Sequence, residues 1–119
     1  VKIAFSTSGE ALSAPMDRRF GRAAKFLIYD LENETFTVID NNQNLNAAQG
    51  AGIQSAETVV QAGAQALVTT HCGPKAFRVL SAAGVAVYNS DSNTVAEALE
   101  QFKSGRLQPL QQADVEGHW

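Results

Sequence analysis

The chain has one cysteine, one methionine, one tryptophan and three prolines among its 119 residues. A single thiol, Cys72, excludes an internal disulfide and the four-thiolate frame of an ordinary iron–sulfur centre, and it leaves a structural zinc site without a ligand set. Positive charge is also scarce: nine Lys and Arg against twelve Asp and Glu give a net charge of −3. A general nucleic-acid binder needs a broad basic face, which such a chain does not have. No apolar run reaches the length of a membrane span, and Val1-Lys2-Ile3-Ala4-Phe5 reads as a first strand rather than a signal peptide. The expectation is a cytoplasmic protein that meets neither nucleic acid nor membrane. Convergent carboxylates are missing too. Strand one ends in Ser6-Thr7-Ser8, with Asp40 and Asp91 remote, so metal-dependent nuclease chemistry is a poor reading.

What is present suits one globular domain. Hydrophobic residues make up 45% and charged residues 18%, enough to bury one core. Lys2 to Ser6 reads as a strand, and Thr7 to Ala24 as a long loop of the kind that is usually functional. Lys25 to Leu31 and Thr35 to Asp40 flank the polar turn Glu32-Asn33-Glu34 and predict a hairpin. Asn41 to Gln49 is a second long loop. From Ala51 the period turns helical, with Ile53, Ala56 and Val60 on one face and Gly63 at the end. Ala66-Leu67-Val68 is a central strand. Pro74 opens a second helix with the stripe Ala76, Phe77, Leu80 and Ala83, closed by Gly84. Val85 to Tyr88 is the last strand. Thr94-Val95-Ala96-Glu97 is a capping box for a third helix, with Val95, Ala98, Leu99 and Phe102 on its apolar face and Gly105 at its end. Residues 1–105 form the domain, and 106–119, which lack periodicity, are expected to be a tail.

Right-handed crossovers then predict an α/β fold: a five-stranded mixed sheet in the order 3-2-1-4-5, strand two antiparallel, with three helices. In that topology the loops Ser6 to Arg22, Asn41 to Gly52, Thr69 to Lys75 and Asn89 to Asn93 gather at the carboxyl edge, where open α/β sheets bind ligands.

Those loops carry the chemistry. Met16-Asp17-Arg18-Arg19-Phe20-Gly21-Arg22 sets three arginines around a glycine, and Gly50-Ala51-Gly52 and His71-Cys72-Gly73-Pro74-Lys75 each open a helix. Cations, glycines that admit a close ligand, and helix N-termini suit an anion. Each residue also has a plainer reading. Arg19 and Arg22 are either an anion cradle or solvated charges, and Gly50 and Gly52 either a close-approach turn or a linker. Met16 is either a soft contact for a sulfur-rich ligand or a plug over the core. Cys72 beside His71 is a candidate soft-metal contact, a nucleophile, or a small apolar residue packed at a strand end. No acidic orienter for His71 is evident, which disfavours nucleophilic catalysis. His118 has no assigned role.

The spaced set Arg19-Phe20-Gly21-Arg22-Ala23, Phe26-Leu27-Ile28-Tyr29-Asp30, Gly50-Ala51-Gly52-Ile53 and Gly73-Pro74-Lys75-Ala76 resembles the dinitrogenase iron–molybdenum cofactor biosynthesis family. The resemblance runs from Lys2 to about Lys103 and is closest to the branch that holds a molybdenum–copper–sulfide cluster. It implies a ribonuclease-H-like fold without enzymatic activity, and a binding or carrier role for an anionic metal–sulfur cluster or an iron–molybdenum cofactor precursor. A protein partner for cluster delivery is implied as well. It maps the family arginines onto Arg19 and Arg22 and the family glycine loops onto Gly50, Gly52 and Gly73; together with the loop reading above, the candidate cluster-binding set is Met16, Arg19, Gly21, Arg22, Gly50, Gly52, His71, Gly73 and Lys75, with Cys72 as a candidate metal contact. Two departures stand out: Asn41-Asn42 replaces the Asn-Pro of many members, and His71-Cys72 stands where small residues are commoner. A cluster that brings its own sulfides needs cations, N–H donors and apolar cover more than protein thiolates. The competing reading is a regulatory module that binds a small anion and no metal.

Overall fold

A computed structural model describes residues 1–41 and 51–110. It has strands β1 (Lys2–Thr7), β2 (Lys25–Asp30), β3 (Thr35–Asp40), β4 (Ala66–Thr69) and β5 (Ala86–Asn89), with helices α1 (Ala51–Gln61), α2 (Pro74–Ala82) and α3 (Val95–Lys103). The strand order is β3-β2-β1-β4-β5. β2 runs antiparallel to both neighbours, from Lys2↔Asp30 to Thr7↔Lys25 on one side and Lys25↔Asp40 to Asp30↔Thr35 on the other. β1, β4 and β5 are parallel. The expected mixed α/β sheet with three helices is therefore present, and the carboxyl ends of β1, β3, β4 and β5 share one edge with the start of β2.

Side-chain alternation sorts the strands between two cores. Ala4, Phe26, Ile28, Leu67 and Val87 face α1 and α2, where Ala56, Val59, Ala76 and Leu80 complete one apolar layer. Ile3, Phe5, Leu27, Tyr29 and Val68 face α3, which contributes Val95, Ala98 and Leu99. Each large side chain so buried contributes roughly 1.5–3 kcal/mol of transfer free energy. The third helix is capped as its sequence predicts: the Glu97 N–H donates to Thr94 Oγ1 at 3.2 Å. Gly63, Gly84 and Gly105 take positive φ after the three helices, the backbone state that ends a helix most easily without a Cβ.

Three details differ from the sequence reading. The inward stripe of α1 is Gly52, Ser55, Ala56 and Val59, while Ile53 and Val60 are only half-buried. A buried serine displaces the apolar stripe because it has hydrogen-bond partners. On α2, Ala83 is exposed and Phe77 half-buried. Part of the expected tail is ordered against the sheet: Leu110 N–H donates to the Val87 carbonyl at 2.7 Å, and Pro109 bridges Tyr88. The outer edge of β5 offers backbone groups that this segment satisfies, an interaction that carries no hydrophobic periodicity.

Candidate anion-binding site

The carboxyl edge is closed at its centre by hydroxyls. Ser6 Oγ and Thr69 Oγ1, at the tips of adjacent strands β1 and β4, lie 2.8 Å apart and fully buried. Ser6 Oγ donates to the Asp17 carbonyl at 3.1 Å, so Thr69 supplies the proton between the two hydroxyls. The Asp17 N–H returns a bond to the Ser6 carbonyl at 2.9 Å. Beside it, Thr7 Oγ1 donates to the Pro15 carbonyl at 2.7 Å, and the Met16 N–H reaches the Asn93 carbonyl at 2.9 Å.

The loop after β1 is thus sewn across the strand ends, and its two apolar residues anchor it on opposite faces. Met16, 8% exposed, packs into the α3-side core. Phe20, fully buried, packs into the other core with its ring centroid 5.3 Å from that of Phe26. Asp17, Arg18 and Arg19 must bridge the two faces over the sheet edge. Arg18 and Arg19 are exposed there and Asp17 is half-buried. The Asp17 carboxylate accepts from the Arg19 N–H at 3.0 Å and shapes that turn. Phe20–Arg22 then forms a short 3-10 turn with Gly21 buried and Arg22 half-buried.

The sheet divides the residues singled out from the sequence. Arg19, Gly21, Arg22, Gly52, His71, Gly73 and Lys75 belong to elements on the α1/α2 side: the 3-10 turn packs on α1, and α1 packs on α2. Gly52 and Gly73 are buried, His71 is half-buried and Lys75 is exposed. Gly73 precedes Pro74 at the first turn of α2, and no side chain caps that helix. Gly50 lies outside the described residues. Met16 stands apart, on the α3 side, where its packing matches the plainer reading of a plug.

Cys72 is fully buried among Ala76 and Leu80, with Sγ 3.7 Å from the Gly73 carbonyl. Its side chain is part of the α1/α2-side core cluster. Among the described residues, no three His, Cys, Asp or Glu side chains converge as metal ligands. The donor set does not fit a bare metal ion.

Charge at the edge is unevenly available. Lys25 is engaged by two carboxylates, Asp40 Oδ1 at 2.9 Å and Glu10 Oε1 at 3.5 Å. The hydrogen bond to Asp40, with the charges of Asp40 and Glu10, holds its pKa above the usual lysine value against the opposing effect of burial. Among the described residues Arg18, Arg19 and Lys75 make no ion pair, so their charge is open to a ligand.

Sequence reasoning did not single out several groups of this edge as site residues. A cavity of about 320 Å³ opens between Met16, Arg18, Thr70, Asp91, Ser92 and Asn93 on the α3 side, near the lower end of the usual ligand-pocket range. Arg18 belongs to the basic loop and could have been included on that ground. Asn41 and Ser55, both fully buried, brace the 3-10 turn. Nothing local marks Ser55, and Asn41 stands out only through the Asn41-Asn42 departure from Asn-Pro.

Residues 1–105 match the dinitrogenase iron–molybdenum cofactor family, and the chain belongs to it. It is similar to the apo form of the orange protein from Desulfovibrio gigas, at 34% identity and a TM-score of 0.93 over 96% of each chain. It is also similar to a NifB-like protein from Thermotoga, at 36% identity and a TM-score of 0.84 over 98% of each chain. An uncharacterized protein of Methanocaldococcus jannaschii is 30% identical over 114 residues, spanning 93% of this chain and 92% of its own. The described residues contain no helix long and apolar enough to cross a membrane.

Proposed function

We propose that this protein is a non-enzymatic binding or carrier protein for an anionic, molybdenum-containing metal–sulfur cluster. The cluster is its cargo, a molybdenum–copper–sulfide species in our reading, with a precursor of the iron–molybdenum cofactor as the related alternative. The observation that carries this is the pairing of open cations with the lack, among the described residues, of a converging metal-ligand set. Arg18, Arg19 and Lys75 stand at the carboxyl edge without ion pairs among the described residues, while the lone thiol of Cys72 is sealed in the core. Membership of the family and the likeness to the orange protein support the choice of cargo.

The physical case is short. A sulfide-bridged molybdenum–copper cluster has its metals satisfied by sulfide and carries net negative charge. It is held by charge-assisted hydrogen bonds from guanidinium groups and by N–H groups at the uncapped start of α2. Against a net charge of −3 for the whole chain, the cations of this loop are the groups that attract an anion. The test is reconstitution: apoprotein is titrated with tetrathiomolybdate and copper(I), then passed through gel filtration. Molybdenum and copper co-eluting with the protein, with visible sulfide-to-metal charge transfer, supports the reading. Retention of inorganic phosphate but of neither metal would instead favour a metal-free anion module.

A further inference from the structure

We propose that Asn41 and Ser55 are positioning residues, a buried hydrogen-bonded pair that fixes the main chain on both sides of Arg22 and so aims its guanidinium at the sheet edge. The proposal rests on the reading of that edge as an anion site.

The geometry is specific. Asn41 Nδ2 donates to the Ala23 carbonyl at 2.9 Å and to Ser55 Oγ at 2.9 Å. Ser55 Oγ in turn donates to the Gly21 carbonyl at 3.4 Å. The carbonyls immediately before and after Arg22 are therefore held by one connected pair of side chains. The Arg22 and Ala23 N–H groups are also taken, by the carbonyls of Arg19 and Phe20 at 3.2 and 3.3 Å. Asn41 itself is located by the sheet: its N–H donates to the Ala24 carbonyl at 2.8 Å, one step beyond the Lys25↔Asp40 pair. Register, helix and loop thus meet at a single amide.

Two observations separate this from ordinary core packing. Both side chains are fully buried, where apolar residues would pack without polar atoms to satisfy. Ser55 also interrupts the otherwise small and apolar inward stripe of α1, Gly52, Ala56 and Val59, at a position where alanine would be the better helix former. A fully satisfied buried network rigidifies what it touches. Here it touches the carbonyls of the two residues on either side of a candidate site arginine, and a rigid backbone there reduces the entropy lost when Arg22 engages a ligand.

The test uses Ser55→Ala as the mild variant, Asn41→Ala as the stronger one, and Arg22→Ala alone and combined with each. Binding of tetrathiomolybdate plus copper(I) is followed by visible absorption, and amide hydrogen exchange of the apoprotein is measured in parallel. Arg22→Ala weakens binding about tenfold, and Ser55→Ala about threefold or more. In the Ser55→Ala background Arg22→Ala adds clearly less than it does alone, because the guanidinium is already misplaced. Exchange at Arg22 and Ala23 speeds up in Ser55→Ala while β1 and β4 stay protected, a local change that loss of general stability does not produce. Additive effects of Ser55→Ala and Arg22→Ala, or unchanged exchange at Arg22 and Ala23, overturn the positioning role. If Arg22→Ala has no effect in the wild-type background, the role of Arg22 in binding fails, and with it the purpose assigned to the pair, even where exchange confirms the bracing.

Discussion

Replacing Cys72 by alanine separates two roles that a thiol beside a cluster-binding loop can have. The side chain is fully buried in the α1/α2-side core and packed with Ala76 and Leu80. Removing its sulfur is close in size to deleting one buried methylene, with a small cavity left behind. That destabilises the fold by about 1–1.5 kcal/mol. For a domain of this length the melting temperature falls by about 4–8 °C per kcal/mol, so a drop of roughly 5–10 °C is expected. In the proposed reading cluster retention rests elsewhere, on Arg18, Arg19, Arg22 and Lys75, so the visible spectrum after identical reconstitution is expected to stay that of the parent. Alanine is preferred to serine because a buried hydroxyl adds a desolvation cost of its own. The assay is thermal unfolding of the apoprotein beside the spectrum and metal content of the reconstituted one. Loss of copper with an unchanged melting temperature would refute the argument and make Cys72 a metal ligand.

The same geometry sets the outcome of four further variants. Arg19→Ala with Arg22→Ala leaves the fold intact and weakens cluster retention. Each charge-assisted hydrogen bond removed costs roughly 1.5–3 kcal/mol, toward the lower end for exposed Arg19, and retention on gel filtration reads it. Lys25→Gln leaves retention within error of the parent, because Asp40 and Glu10 already engage that charge; a loss as large as that of the arginine pair contradicts this. Gly9→Ala destabilises the loop over β1, since an added Cβ would meet Ala14 Cβ at 2.6 Å, and denaturant unfolding measures it. At the hairpin, burial pushes the Asp30 carboxyl up, but hydrogen bonds from the Glu32 and Asn33 N–H groups and the Asn33 side chain, with the N-terminal charge, bring it below its usual 3.8. A carboxyl lowered in the folded state stabilises above its unfolded pKa, and that contribution fades as pH falls through the folded value. Asp30→Asn therefore flattens the loss of stability with acidification below about pH 4, as followed by urea unfolding at stepped pH.

The parts of the fold that were legible in the sequence are those set by local rules. The capping box at Thr94, Pro74 at the start of α2 and the turn between β2 and β3 each announce an element boundary, and crossover handedness then orders the strands. The arginines and glycines were legible because charge and backbone freedom mark a loop without help from its neighbours. What stayed hidden depends on interactions between distant residues. Ser6 and Thr69 are 63 positions apart and Asn41 and Ala23 are 18, and a polar side chain gives no sign of which partner it will find. Met16 and Phe20 look alike as apolar residues in a loop. Only the sheet topology shows that they plug opposite cores and stretch the arginines between them. Ser55 was invisible for the converse reason: helical periodicity counts apolar residues, and a buried hydroxyl satisfied by Asn41 does not register.

Elemental analysis of the protein isolated from its native host tests the central claim most directly, because it asks what the chain holds without supplying it. Molybdenum, copper and acid-labile sulfide are expected bound to a coloured protein, and released when salt screens the arginine charges. A colourless protein with neither molybdenum nor copper above background would contradict it.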